Sequence, residues 1–399
     1  MSPSADTKLD ALRSPEGAEL LAVAGELAAT DPARAALALR AHTSDPELAS
    51  AALTQATLRL SAAAKFGEDA HAMFFTRDGL EQATRPEVAA RRAARLKAAG
   101  ATRVADLCCG IGTEAVALAR AGLRVVAVDA DAATAALATA NAEALGLADL
   151  IEVRNADALD TDLTGCDAVF ADPARRDAAG RRVFDPAAYA PPLNALLARA
   201  EGVPYGVIKV GPGIPHEAVP AGAEAEWVSV DGDVVEAALW LGRTVEVPRR
   251  ATVIRRGEVH ELTGAGDRPA PLGETGRYLY EPDGAVLRTY LVSELADLLG
   301  ARLADPTIAY LHADDLVATP FARTFEVEET MPFSVKRLRS ALRERGVGRL
   351  TVKKRGVDID PDALRRELLG KGKAKGAAEA TVVVTRIEGQ RTAFICSPV

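Results

Sequence analysis

Asp106, Asp129 and Asp157 each close a short apolar run, in ADLCCG, VVAVDAD and EVRNAD. A carboxylate at the end of a buried strand is costly unless something polar or cationic meets it. The segment ADLCCGIGTEA (105–115) formally fits the dinucleotide fingerprint through Gly110, Gly112 and Ala115. Its context points elsewhere. Asp106 and two cysteines separate the apolar run from the first glycine, whereas a pyrophosphate wants glycines at the strand end and no facing acid. Glycines let the backbone approach a ligand closely, and Asp106 is suited to hold an ammonium. Asp129, in the next apolar run, is placed to take both hydroxyls of a ribose. Asp157 lies at the same predicted edge and can accept from an adenine amine. Three acids on one edge indicate a ligand site rather than isolated caps.

The second constellation is VFADPARRDAAGRR, where Asp172 and Pro173 end an apolar run and Arg175, Arg176, Arg181 and Arg182 follow. Arg175 can stack its guanidinium on a base or bind phosphate; the alternative is an ion pair to Asp177 or Asp185. The arginine cluster favours phosphate contact. Lys209 ends a later apolar run, YGVIKVG, and is read as a structural ion-pair residue. Cys108, Cys109, Cys166 and Cys396 show no paired CxxC spacing and read as reduced thiols, the first two packing as small side chains. His71, His216, His260 and His312 show no metal spacing, so no metal is expected.

The elements that must position these residues follow from pattern. The 399 residues allow two or three domains, and 48% hydrophobic with 26% charged residues is ordinary for a globular protein. The start, MSPSADTKLD, lacks the regions of a signal peptide and no long uncharged apolar run occurs, which predicts a cytoplasmic protein without a membrane span. Ser14-Pro15-Glu16, Asp31-Pro32 and Ser44-Asp45-Pro46-Glu47 are helix starts, so residues 1–72 form a helical unit. From Arg103 strands alternate with helices: five continuous apolar strands imply a parallel sheet covered on both faces, with ligands beyond the carboxyl ends of its strands. EAEWVSV and VVEAALWLG, joined by Asp231-Gly232-Asp233, form a closing antiparallel hairpin in which Trp227 and Trp240 are core. This domain spans 73–243. Residues 244–323 hold another hairpin, a Pro and Gly-rich connector and a small α+β (ferredoxin-like) subdomain with a helix over Val286 to Leu299. Residues 324–399 form an α+β unit with a flexible GKGKAKG. The net charge is −8, yet Met331 to Gly376 contains fourteen Lys and Arg against five Asp and Glu, a net of +9. That asymmetry suggests a contact surface for something anionic, the bland reading being a solvated face.

DLCCGIGTEA, VVAVDAD, NADAL, FADP and the closing hairpin, over about Phe74 to Gly242, resemble the class I S-adenosylmethionine-dependent methyltransferases and their Rossmann-like sheet. The resemblance implies that Asp106, Cys108, Gly110, Gly112 and Thr113 hold the methionine moiety, Asp129 with Ala130 the ribose, and Asp157 with Ala158 the adenine. It implies that Asp172 and Pro173 face the methyl acceptor, with Arg175 beside them. FFTRDGLEQATRPEVAARRAARL is similar to the segment before the core in trimethylguanosine synthase-type enzymes, which places Thr84 at the cofactor; here Arg85 separates Thr84 from Pro86. The whole chain is most similar to bacterial methyltransferases of the THUMP-like domain group, which implies RNA as the substrate class. Families acting on exocyclic amines carry a polar residue, two prolines and an aromatic where this chain has Asp172-Pro173-Ala174-Arg175; the second proline and the aromatic are absent. Methylation of an RNA base is therefore expected. A small-molecule or protein methyltransferase, a catalytically silent S-adenosylmethionine or RNA-binding protein, and a nicotinamide dehydrogenase stand as alternatives.

Overall fold

A computed structural model describes residues 5–175, 181, 183, 185–370 and 378–399. Arg176, Asp177, Arg182 and the GKGKAKG linker beyond Gly370 lie outside the described residues. The chain divides into two compact units, one running to Ala223 and taking in Ala238–Glu246, the other comprising Glu224–Ala237 and Val247–Val399. No helix among the described residues is long and apolar enough to cross a membrane.

The first unit opens with seven helices, α1 (Ala5–Arg13), α2 (Pro15–Thr30), α3 (Pro32–Leu39), α4 (Pro46–Phe66), α5 (Asp69–Ala72), α6 (Arg77–Gln82) and α7 (Pro86–Ala99). The capping residues act as their types dictate: Ser14 accepts from the Gly17 N–H, Asp31 from Arg34, and Asp45 from Glu47 and Leu48. Small residues let these helices pack closely, with Ala24, Ala52 and Ala62 fully buried. The same apolar cluster takes in Ile111, Leu137 and Ala140. The helices thus share a core with the sheet region that follows.

That region alternates β1 (Arg103–Leu107), α8 (Thr113–Arg120), β2 (Arg124–Asp129), α9 (Ala132–Ala144), β3 (Ile151–Asn155), β4 (Ala168–Ala171), α10 (Leu193–Glu201) and β5 (Tyr205–Val210). The strand order is β3-β2-β1-β4-β5, all neighbours parallel. Next to β5 lies the strand Asp233–Gly242. The order reverses between β1 and β4, which puts the binding crevice beyond their carboxyl ends. Asp106 and Asp172 lie at those ends.

Strands β6 (Glu224–Val230) and β7 (Asp233–Gly242) are joined by Asp231 and Gly232, whose φ of 50° and 96° make the two-residue hairpin turn. β8 (Arg249–Arg255) runs parallel to β6, and β9 (Glu258–Gly264) antiparallel to β8. A seven-stranded sheet has the order β11-β12-β10-β13-β16-β15-β14. Its strands are β10 (Tyr278–Pro282), β11 (Arg302–Leu303), β12 (Leu311–Ala313), β13 (Ala322–Pro332), β14 (Val347–Lys354), β15 (Ala378–Ile387) and β16 (Gln390–Pro398). Helices α13 (Val335–Glu344) and α14 (Pro361–Leu369) bury Leu338, Leu342, Leu364 and Leu368 with Val382, Val384 and Ile395 of this sheet. One expectation needs correction: the single helix over Val286 to Leu299 is two, α11 (Gly284–Arg288) and α12 (Val292–Leu299). The Thr289 hydroxyl donates back to the Ala285 and Val286 carbonyls and Tyr290 takes a φ of 61°, which ends the first helix. Trp227 and Trp240 are fully buried.

A polar hub joins the helical region to the Gly110–Gly112 loop. Asn141, fully buried on α9, accepts from the Phe74 N–H at 2.7 Å and donates to the Phe74 and Ile111 carbonyls at 3.1 and 2.9 Å. Asn141→Ala strands these backbone groups without partners and is expected to cost about 3 kcal/mol. The check is urea unfolding, with a lower midpoint at unchanged slope.

Candidate active site

The loop after β1 turns sharply because Cys108, Gly110 and Gly112 all take positive φ, 64°, 56° and 83°. The Cys109 N–H donates to the Val128 carbonyl of β2, and Gly112 starts α8. A Cβ on Gly112 would press on Ala138 at 3.3 Å, whereas one on Gly110 would meet nothing within 4 Å. Gly112 therefore serves close packing and Gly110 leaves an open backbone surface.

Asp129 at the end of β2 holds this loop: it accepts from the Gly110 N–H and the Asp131 N–H, both at 3.0 Å. Each carboxylate oxygen keeps a second lone pair for a ligand hydroxyl. Burial pushes the Asp129 carboxyl up, and the two N–H groups pull the other way. Ala130 beside it is exposed, its carbonyl taken, like that of Asp129, by the Asn155 amide. Asp157 is exposed after β3 and caps Leu159, while Ala158 is buried. Thr113 is half-buried at the first turn of α8.

Asp106 is fully buried, and neither carboxylate oxygen has a hydrogen-bond partner. Burial, then the charges of Glu114, Asp172 and Asp129, push its carboxyl well above the usual carboxylate range, against the pull of Arg92. Arg92 of α7 and Glu114 of α8 form a buried ion pair at 2.6 Å, and the Arg92 guanidinium lies 4.8 Å from the centre of the Phe170 ring. An ammonium brings three donors and a positive charge to such an acid. The four acids converge: after burial, the charges of Asp129, Asp172, Asp106 and Asp157 all raise the Cys108 thiol. Burial likewise raises the Cys109 thiol, so neither is a thiolate nucleophile. The negative field, the orphaned acid and the open Gly110 backbone fit S-adenosylmethionine, whose ammonium, sulfonium and ribose hydroxyls are cationic or hydrogen-bond donors.

Asp172 follows β4 and pairs with Lys209 of β5 at 2.7 Å; Lys209 also donates to Thr84 at 2.9 Å. Thr84, expected at the cofactor, is buried against Lys209. Lys209 is an ion-pair residue, as its sequence context suggested, with Asp172 as its partner. Pro173 is buried and Arg175 half-buried. The Arg175 guanidinium lies against Gly211, where a Cβ would come within 2.7 Å of it, with the buried Tyr189 hydroxyl alongside. Asp185 instead caps Ala187. Sequence reasoning missed Arg92, Glu114, Tyr189 and Gly211, since nothing in their local pattern differs from ordinary helix or loop residues. Among the described residues no group of His, Cys, Asp and Glu could hold a metal ion.

Asp106→Asn tests the fit. Because the folded-state carboxyl is raised, the stability that Asp106 contributes is present at low pH and lost as pH rises above the unfolded value. At neutral pH the Asn variant should melt about 2–4 °C higher than the parent without ligand, the gap closing toward pH 4. It should also lose most of the stabilisation that S-adenosylhomocysteine gives the parent, measured by thermal unfolding with and without ligand.

Comparison with known proteins agrees with this geometry. Residues 104–179 match the family described as methyltransferase domain, 322–398 the THUMP domain-like family, and 6–62 a domain of unknown function (DUF8688). An uncharacterised S-adenosylmethionine-dependent methyltransferase of Mycobacterium tuberculosis strain H37Rv is 40% identical over 359 residues, covering 86% of this chain and 95% of that protein. Its counterpart in strain CDC 1551 matches to the same extent. A crystal structure from Porphyromonas gingivalis W83, of a protein provisionally named a methyltransferase, superposes with a TM-score of 0.74 at 22% identity, over 96% of this chain and 98% of that one. The fold is thus shared over nearly the whole length. The parallel sheet, the acid-rimmed glycine loop and the curated relatives together place this chain in the family of S-adenosylmethionine-dependent methyltransferases.

Proposed function

We propose that this methyltransferase acts on RNA, at an exocyclic amine of a nucleobase. The observation that carries the reading is the set of free cations on the THUMP domain-like segment. Lys336, Arg337 and Arg343 of α13, Lys354 of β14 and Arg366 of α14 are exposed and enter no salt bridge among the described residues. Others are spent internally: Arg345 pairs with Glu329, Arg349 with Glu379 and Lys353 with Glu281. Free cations on a surface bind an anionic polymer by releasing its counterions.

S-adenosylmethionine supplies an electrophilic methyl group. The protein's part is to orient the acceptor and exclude water. Asp172 accepts a hydrogen bond from the acceptor N–H, which aims the nitrogen lone pair, and receives the proton that the methylated nitrogen sheds. Arg175 takes the place of the missing aromatic, its planar guanidinium presented by Gly211. Raised thiols at Cys108 and Cys109 weigh against ring-carbon methylation through a cysteine adduct.

Label from methyl-tritiated S-adenosylmethionine should enter the RNA fraction of a cell extract rather than the protein or small-molecule fractions. Nucleoside mass spectrometry then identifies an N-methylated base; label confined to another fraction excludes RNA. Arg175→Ala should cut transfer by about 10-fold or more while S-adenosylhomocysteine affinity changes little, whereas equal losses would make Arg175 structural. Replacing Lys336, Arg337 and Arg343 by Ala should weaken RNA binding and flatten its log–log salt dependence by about 2.

A further inference from the structure

Lys209 is the one charged residue in the fully buried strand Tyr205–Val210. A buried ammonium is expensive, and an apolar side chain in its place is often no less stable. Stability alone is therefore a poor account of this lysine. The parallel register pairs Ala171 with Ile208, so Lys209 stands level with Asp172 on the next strand. Its ammonium is held on two sides, by Asp172 Oδ2 at 2.7 Å and by Thr84 Oγ1 at 2.9 Å. Among the described residues Asp172 Oδ1 has no partner, and about a quarter of the side chain, 27%, is exposed.

Thr84 is itself fixed. It belongs to the segment Met73–Arg85, which other polar side chains pin at successive backbone groups. Arg59 donates to the Met73 and Ala72 carbonyls, and Gln55 pairs with both the N–H and the carbonyl of Phe75. Lys65 donates to the carbonyls of Leu80 and Ala83, the residue before Thr84. A Cβ on Gly79 would come within 2.6 Å of Ile111 of the glycine loop, so the segment lies directly on that loop.

We infer that Lys209 is a positioning residue for methyl transfer: anchored by Thr84, it holds the Asp172 carboxylate by one oxygen and turns the other toward the methyl acceptor. The inference rests on Asp172 facing the acceptor, but not on the acceptor being RNA. It makes the helical region and the Met73–Arg85 segment part of the acceptor geometry.

The test uses the full chain with Lys209→Met, Lys209→Arg and Thr84→Val. Methyl transfer is measured into whichever fraction of a cell extract accepts label from the parent protein, and S-adenosylhomocysteine affinity is measured by calorimetry. Lys209→Met should lose about 100-fold in transfer at saturating S-adenosylmethionine, with affinity kept within about 2-fold. Lys209→Arg should recover part of the rate, and Thr84→Val should fall between. Transfer at the parent rate, or rate and affinity falling together with no rescue by Arg, overturns the inference. Crystal structures of the parent and Lys209→Met complexes with S-adenosylhomocysteine decide without any acceptor. An Asp172 carboxylate in the same rotamer in both refutes the role, and one swung away from it supports it. Label entering protein or small molecules instead of RNA would refute the RNA reading alone.

Discussion

The constraint on which this architecture turns is the crowding of negative charge at the carboxyl edge of a parallel sheet. Asp106, Asp129, Asp157 and Asp172 lie close enough to act together on one thiol, and Asp106 is wholly buried without a donor. Like charges in a poorly polarisable interior repel strongly. Each acid has a different relief. Asp129 takes two backbone N–H groups, Asp157 stays in water and Asp172 is paired with Lys209. Asp106 has none of these. The left-handed glycines turn the backbone at that edge, and the charges of the buried Arg92–Glu114 pair both act on Asp106.

The helices before the sheet then acquire a physical role. One of them, α4, supplies Gln55, Arg59 and Lys65, long polar side chains that spend their donors on backbone carbonyls around the short helix α6 and the chain on either side of it. The non-helical stretches beside α6 need such partners because they have no ladder of their own. Burial, followed by the charges of Lys209 and Arg85, lowers the Lys65 ammonium to about 8, against the pull of Glu87.

Much of the fold can be read from the chain. Apolar runs, four of the five with an acid at or near their end, mark the parallel strands, Ser-Pro and Asp-Pro pairs mark the helix starts, and Asp231-Gly232 marks the hairpin. The break at Tyr290 is hidden because the apolar spacing continues across it, while the left-handed backbone of Tyr290 ends the first helix. The edge positions of Asp106, Asp129 and Asp172 were legible for the same reason as the strands. Their partners were not. Lys209 meets Thr84 across 125 residues, and Arg92 and Glu114 look like the charged faces of ordinary helices until both prove buried. Such contacts are set by packing, which no local pattern encodes.

The THUMP domain-like segment has a border that bears on its use as a cassette. Its first strand, β13, bonds to β16 on one side and to β10, which precedes the segment, on the other. Cut out at residue 322, it would carry away a long strand with one row of backbone groups bared, a template for pairing with another chain. Recombination that moves this module intact must therefore cut upstream of Tyr278, so that the strand travels with its neighbour.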